Sequence, residues 1–365
     1  LGSNAGLPAS QSLTINYGYL DLKGYSPSIG SLTLYEGNIS DTAVVKGTLT
    51  ATSYSVTVPN WCCGGYYTDT ISANLAGGGS SGLSMTGGGI LYLTGSNTYT
   101  GGTSLSAGTT YISDDSNLGA TSGSLSVNNA TLVLSADVTL ASTRGLVLSN
   151  TAYFNTNGHT LTYGGDITGS GNLQQSGGGG ITLSGVTHFT GYAYMSNGTL
   201  TLIGSGAIAN AYRLQLENSS IFDITSTTGG TSIRSLYSGN YSTSVKLGTK
   251  PLTITNAVGD EFYGVISSTS TDGALSLTGG TEYLRGTNTY TGTTSIASGA
   301  ALRIWYVGSL GSGSYSANII NNGSLYYESS TAQTLSGIIS GSGNLVTSNY
   351  AGTLTLTNNN TYQGS

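Results

Sequence analysis

The sequence predicts an all-β fold, a parallel β-solenoid, and three observations lead there. Short apolar–polar–apolar triplets recur throughout the 365 residues, Gly, Asn and Ser interrupt them every few positions, and one longer motif returns at wide intervals. Period two puts alternate side chains on opposite faces of a strand. Strands this short bury little alone, but stacked coil upon coil they share one continuous inner column.

The triplets come in chain order as Leu13-Thr14-Ile15, Leu20-Asp21-Leu22, Leu32-Thr33-Leu34, Leu91-Tyr92-Leu93, Leu200-Thr201-Leu202, Leu214-Gln215-Leu216, Leu252-Thr253-Ile254, Leu302-Arg303-Ile304 and Leu354-Thr355-Leu356. Their outer pairs are expected to face inward and their variable middle residues to face water. No window sustains an apolar 3.6 period, so no helix is expected. At roughly 20–25 residues per coil the chain makes on the order of 16 coils, one continuous domain over 1–365, an elongated rod of roughly 75 Å at ~4.8 Å per coil. A β-propeller needs a fixed period of ~40–50 residues, which is not seen. An array of two-sheet sandwiches is the second choice.

Composition narrows the function. Charged residues make up 7% of the chain against a usual ~25%, so Ser, Thr and Asn must cover the surface. With 37% hydrophobic residues the chain lies outside the signature of disorder. The basic residues, Lys23, Lys46, Arg144, Arg213, Arg234, Lys246, Lys250, Arg285 and Arg303, stand singly in a chain of net charge −6. Nucleic acids and anionic membranes both require a basic stripe, so neither is an expected partner. No apolar run reaches ~18 residues, so direct membrane insertion by a helix is not expected. The opening "LGSNAGLPAS" lacks the regions of a signal peptide and an initiating Met, and reads as a mature product or a slice of a longer chain.

The longer motif appears as "LTGSNTYTGGTS" from 93, "LSGVTHFTGYAY" from 183, "LRGTNTYTGTTS" from 284 and "LTNNNTYQGS" from 356, within landmarks at 91–112, 181–202, 282–304 and 352–365. It reads as a corner. Asn97, aligned with Asn288 and Asn360, suits a left-handed turn. Tyr99, aligned with Phe189, Tyr290 and Tyr362, offers a ring whose hydroxyl can stay wet. Gly101, aligned with Gly191, Gly292 and Gly364, turns the chain without a Cβ.

The stretch "GGGILYLTGSNTYTGGTSLSAGTTYI" resembles the autotransporter-associated β-strand repeat of bacterial passenger domains, also described as the passenger-associated transport repeat. The copy at 284–302 is close, the copy at 183–200 departs at Thr187, His188 and Phe189, and directly matching segments cover about a third of the chain. The resemblance implies a right-handed β-helix, secreted or displayed on a bacterial cell surface, acting as stalk, adhesin or fibre-forming subunit. It carries no catalytic residues. The alternative is a polysaccharide-binding or polysaccharide-degrading β-helix of the lyase, glycosidase or tailspike kind.

No enzyme, cofactor or metal is expected. Glycoside hydrolysis needs two carboxylates ~5–9.5 Å apart, and Asp114-Asp115, Asp260-Glu261 or stacked Asp21 and Glu36 are the pairs to weigh; each is expected in a solvated turn instead. "GGDITGSGN" (164–172) is one imperfect match to a calcium-binding repeat, and "GSLGSGS" (308–314) lacks the Lys of a phosphate loop. His188 and His159 are expected to be exposed.

An excursion at about 58–70, "VPNWCCGGYYTDT", interrupts the triplets. Trp61, Tyr66 and Tyr67 are binding candidates for host or matrix glycans or proteins, with packing of the loop on its own aromatics as the plainer reading. Cys62 and Cys63 are disulfide or cross-link candidates; neighbouring Cα atoms ~3.8 Å apart strain a bond that prefers ~4.4–6.8 Å, and two thiols supply half of a tetrahedral metal site. Because both ends stop within the repeat pattern, self-association head to tail or continuation into further repeats is expected.

Overall fold

The computed structural model describes residues 1–59, 67–78, 82–348 and 351–364. Trp61, Cys62, Cys63 and Tyr66 lie outside the described residues. The chain divides into two compact units, Leu1–Ile181 and Thr182–Ser365, each a parallel β-solenoid.

In the first unit, Leu13, Leu32, Tyr54, Leu83, Thr103, Leu125 and Leu146 stand in register on successive coils. Two positions on, Ile15, Leu34, Val56, Met85, Leu105, Val127 and Leu148 form a second inner row. Between the rows Ser55, Ser84, Ser104 and Ser126 face out, as period two requires. A further face stacks Leu91, Thr110, Leu132 and Phe154. The step between coils is 22 residues at Asn97 and Leu75 but 29 at Thr57 and Thr86, where the excursion is inserted.

The second unit repeats the plan. Leu200, Phe222, Val245 and Ile266 form one inner row, and Ile233, Ile254, Leu277, Ile296 and Asn321 another. A third face stacks Phe262, Leu284, Ile304 and Tyr327. Each such Leu, Ile or Phe leaves water almost completely, a gain of about 1.5–3 kcal/mol per side chain. Asn321 is tolerated in its row because its side-chain amide donates to the Asn344 carbonyl at 2.8 Å.

Three triplets depart from the expected burial. Leu13 and Leu20 are only half-buried and Leu356 is 37% exposed, since each lies on a coil with a neighbour on one side only in this structure. Helix among the described residues is limited to 3-10 turns at Asn4–Gly6, Asp115–Leu118 and Gly311–Gly313, and no helix there is long and apolar enough to cross a membrane.

Candidate functional site

The repeat motif lies between strands, as in the stretch from Ile90–Leu93 to Thr103–Leu105, but its residues work differently from the sequence expectation. Asn97 is not a left-handed turn residue; that backbone falls to Asn129, Asn150, Asn157 and Asn218. Asn97 is buried, its Oδ1 accepting from Leu75 N at 2.9 Å and its Nδ2 donating to the Asn117 carbonyl at 2.6 Å. Asn288 accepts likewise from Ile266 N and donates to the Gly286 and Ser309 carbonyls, and Asn360 accepts from Ile339 N at 2.7 Å. A side-chain amide has both an acceptor and donors, so it joins coils where the backbone ladder is interrupted.

The aromatic ring is also inside. Tyr99, Phe189 and Tyr290 are 0% exposed, so the expected wet hydroxyl is corrected: Tyr99 Oη pairs with Thr103 Oγ1 and Tyr290 Oη with Thr294 Oγ1, both at 2.8 Å. Burial pushes the Tyr99 and Tyr290 hydroxyls above their ordinary range. Where the ring is Phe189, the residue four positions on is Ala193. The hydroxyls are lost together, leaving no orphan. Tyr362 is half-exposed. Gly292 and Gly364 serve close approach: a Cβ there meets Gly273 O at 2.4 Å and Gly343 O at 2.2 Å. In the first copy the left-handed turn falls at Gly102 (φ 82°), next to the exposed Gly101, while Gly191 is buried.

The proposed carboxylate pairs do not converge on a reaction site. Asp114 caps the turn that follows it, accepting from Ser116 N at 2.9 Å, and this bonding lowers its pKa. Asp115 binds Arg144 at 2.8 Å. Asp21 stacks against Ser40, not Glu36, and accepts from Thr42 Oγ1 at 2.7 Å. Glu36 and Asp260 are buried rather than solvated, because Glu36 turns inward on a left-handed backbone (φ 50°) and Asp260 meets Arg213 at 2.7 Å. His188 is exposed, and His159 is partly so, 3.7 Å from Asp137. Among the described residues no three His, Cys, Asp or Glu side chains gather as a metal site would require.

The assembly that sequence reasoning missed lies on the outer face of the second unit. Glu261, Tyr283, Arg303 and Tyr326 are register partners on successive coils, and Trp305 stands opposite Glu328 beside them. Arg303 donates through Nε and Nη2 to both Glu328 oxygens, each at 2.9 Å, and its guanidinium covers the rings of Tyr326 at 4.2 Å, Tyr283 at 5.3 Å and Trp305 at 5.8 Å. Burial pulls the Arg303 pKa down, but the bonds to Glu328 and Tyr283 outweigh it and hold it above the usual value. Arg285 pairs with Glu261 at 3.0 Å and stacks on Tyr263. Arg213 lies between Tyr192 and Tyr237, and Arg234 covers Tyr212. Each stacked pair contributes about 0.5–1 kcal/mol at an exposed site. Four arginines that stand singly in sequence, Arg213, Arg234, Arg285 and Arg303, thus each lie over tyrosine rings in the second unit. The signal was a recurrence at 20 and 25 residues, from Tyr283 to Arg303 and from Arg303 to Glu328.

Segments 83–111, 272–304 and 347–365 match the passenger-associated-transport-repeat family. The chain is a β-solenoid that carries this repeat of autotransporter passenger domains. Over 118 residues, 32% of the chain, it is 38% identical to the adhesin BmaC autotransporter of Brucella suis biovar 1 (strain 1330), of which that stretch is 3%. The chain therefore spans a small fraction of that relative. No solved structure matches it.

Proposed function

We propose that the chain is a structural and adhesive segment of a bacterial autotransporter passenger, held outside the cell or on its surface, where it meets host or surface molecules. The observation that carries this reading is that passenger repeats fall on coils whose motif residues are occupied with building the solenoid: Asn97 and Asn288 are buried in inter-coil bonds, and Tyr99 and Tyr290 are buried against Thr103 and Thr294 of their own coils. The similar stretch in a protein titled an adhesin supports it. Its role is non-enzymatic. A polysaccharide-cleaving role is disfavoured because Asp114, Asp115, Asp260 and Glu261 are each bound to a neighbour rather than poised as an acid–base pair.

The test is retention of fluorescent beads coated with the purified chain on epithelial monolayers, against albumin-coated beads. The expected result is dose-dependent retention that soluble chain competes away. Retention equal to that of albumin overturns the reading.

A further inference from the structure

Beside the arginine–aromatic face is a depression of about 330 Å³ lined by Trp305, Tyr306, Glu328, Ser330 and Ser348. This falls within the range of small-ligand sites, about 300–1,000 Å³. Tyr306 has a left-handed backbone, φ 61°, a conformation that costs a bulky residue roughly 1–3 kcal/mol. Its carbonyl is fixed from the next coil by Ser330 N at 2.7 Å, Ser330 Oγ at 2.9 Å and Ser329 Oγ at 3.3 Å. The ring is consequently held out, 59% exposed, with Arg285 5.6 Å from its centre.

The polar groups here select by charge and by geometry. Arg303 and Glu328 neutralise each other, as do Arg285 and Glu261, so the site favours neither an anion nor a cation. The guanidinium of Arg303 uses Nε, Nη1 and Nη2 once each, and a carboxylate with roughly four acceptor positions keeps capacity beyond its two bonds to Arg303. Donors and acceptors therefore lie side by side, next to the hydroxyls of Ser330 and Ser348 and two aromatic side chains. A ligand with an apolar C–H face and a rim of neighbouring hydroxyls matches all of this.

We propose that the Trp305–Tyr306 depression binds a neutral hexopyranose oligosaccharide, one sugar resting on the aromatic side chains and its hydroxyls bonding to Arg303 and Glu328. The inference deepens the adhesive reading and rests on it. Successive coils lie ~4.8 Å apart, close to the length of a pyranose, so further sugars meet the rings and ion pair at Tyr263, Arg285 and Glu261.

Calorimetric titration of the chain with cellohexaose, chitohexaose and laminarihexaose tests it. At least one is expected to bind in the millimolar range or tighter, and Trp305→Ala and Tyr306→Gly are each expected to weaken it roughly tenfold. Glycine suits the left-handed backbone, so Tyr306→Gly removes the ring without a folding penalty. Absence of binding by all three, or binding unchanged in both variants, overturns the proposal. Beads that adhere at full strength with Tyr306→Gly leave the adhesive reading standing and refute only the role of this site in it; sugar binding without adhesion refutes the adhesive reading alone.

Discussion

Asp260 and Glu282 occupy the same register position on consecutive coils of the second unit, and Asp260 is held there by an arginine. Its oxygens accept from Arg213 Nη1 and Ser235 Oγ, both at 2.7 Å. Glu282 is 0% exposed, and against its burial stands only the Leu236 backbone. A buried carboxylate so weakly compensated is costly enough that the group keeps its proton.

Burial, reinforced by the Asp260 charge and only partly opposed by the Leu236 backbone, raises the Glu282 pKa well above its ordinary value. The native state then holds a proton that the unfolded chain releases near pH ~4.3. Stability is full below that pH and falls as pH rises through the native value. Glu282→Gln keeps the shape without the charge, so urea midpoints of variant and parent should agree near pH 4, with the variant higher at pH 8. Hydrogen exchange over Gly280–Leu284 assigns the gain to this unit, and equal midpoints at pH 8 refute the account. Asp69 in the first unit has the same sign: burial, opposed by the Gly37 N–H and reinforced by Glu36, pushes it up to about 6.

The inner rows were legible in sequence because they depend on local alternation. Leu32-Thr33-Leu34 declares its inward face within three residues, and its partners on other coils follow from the same rule. The outer face was illegible for the converse reason. Tyr283, Arg303 and Tyr326 become neighbours only through register, and coil steps vary, from 19 residues at Ser12 and Ser31 to 32 at Asn38 and Thr70. Gly-Ser-Asn before Tyr99 has a turn composition, which hid the inward amide of Asn97; the pairing of Tyr with Thr, and of Phe with Ala, four positions apart was visible in the repeats and pointed to burial.

Asn97 and Asn288 offer the next test. Truncation to Ala leaves Leu75 N and Asn117 O, or Ile266 N with Gly286 O and Ser309 O, without these partners. A buried polar group left unsatisfied costs about 1–3 kcal/mol, and each variant should lose that much in urea denaturation. Asn→Asp should lose more, because a carboxylate cannot donate to the carbonyls. Exposed Asn358 serves as the control, its Ala variant staying within about 0.5 kcal/mol of the parent.

Arg144 should prove the most sensitive single position in the first unit. Its side chain is 0% exposed, and every N–H of the guanidinium is used. Nε donates to Asp115 Oδ1 at 2.8 Å, Nη1 to the Leu118 and Gly123 carbonyls at 3.1 and 2.9 Å, and Nη2 to the Asp115 and Gly119 carbonyls at 3.3 and 2.9 Å. The carbonyl of Arg144 in turn accepts from the hydroxyl of buried Tyr163. One residue thus ties the Asp115–Leu118 turn to later coils, and removing it strands a carboxylate together with a set of carbonyls. Breaking a buried ion pair from one side costs about 3–5 kcal/mol. Arg144→Met, which keeps most of the side-chain bulk, should lower the unfolding free energy by that amount, and 1 M salt should not erase the difference from the parent, because buried charges are little screened. Arg144→Lys should recover only part of it, since an ammonium cannot reproduce the planar fork. A loss below about 1 kcal/mol for Arg144→Met, or full recovery with Lys, would show that the turn is held by its own capping bonds and that Arg144 is incidental.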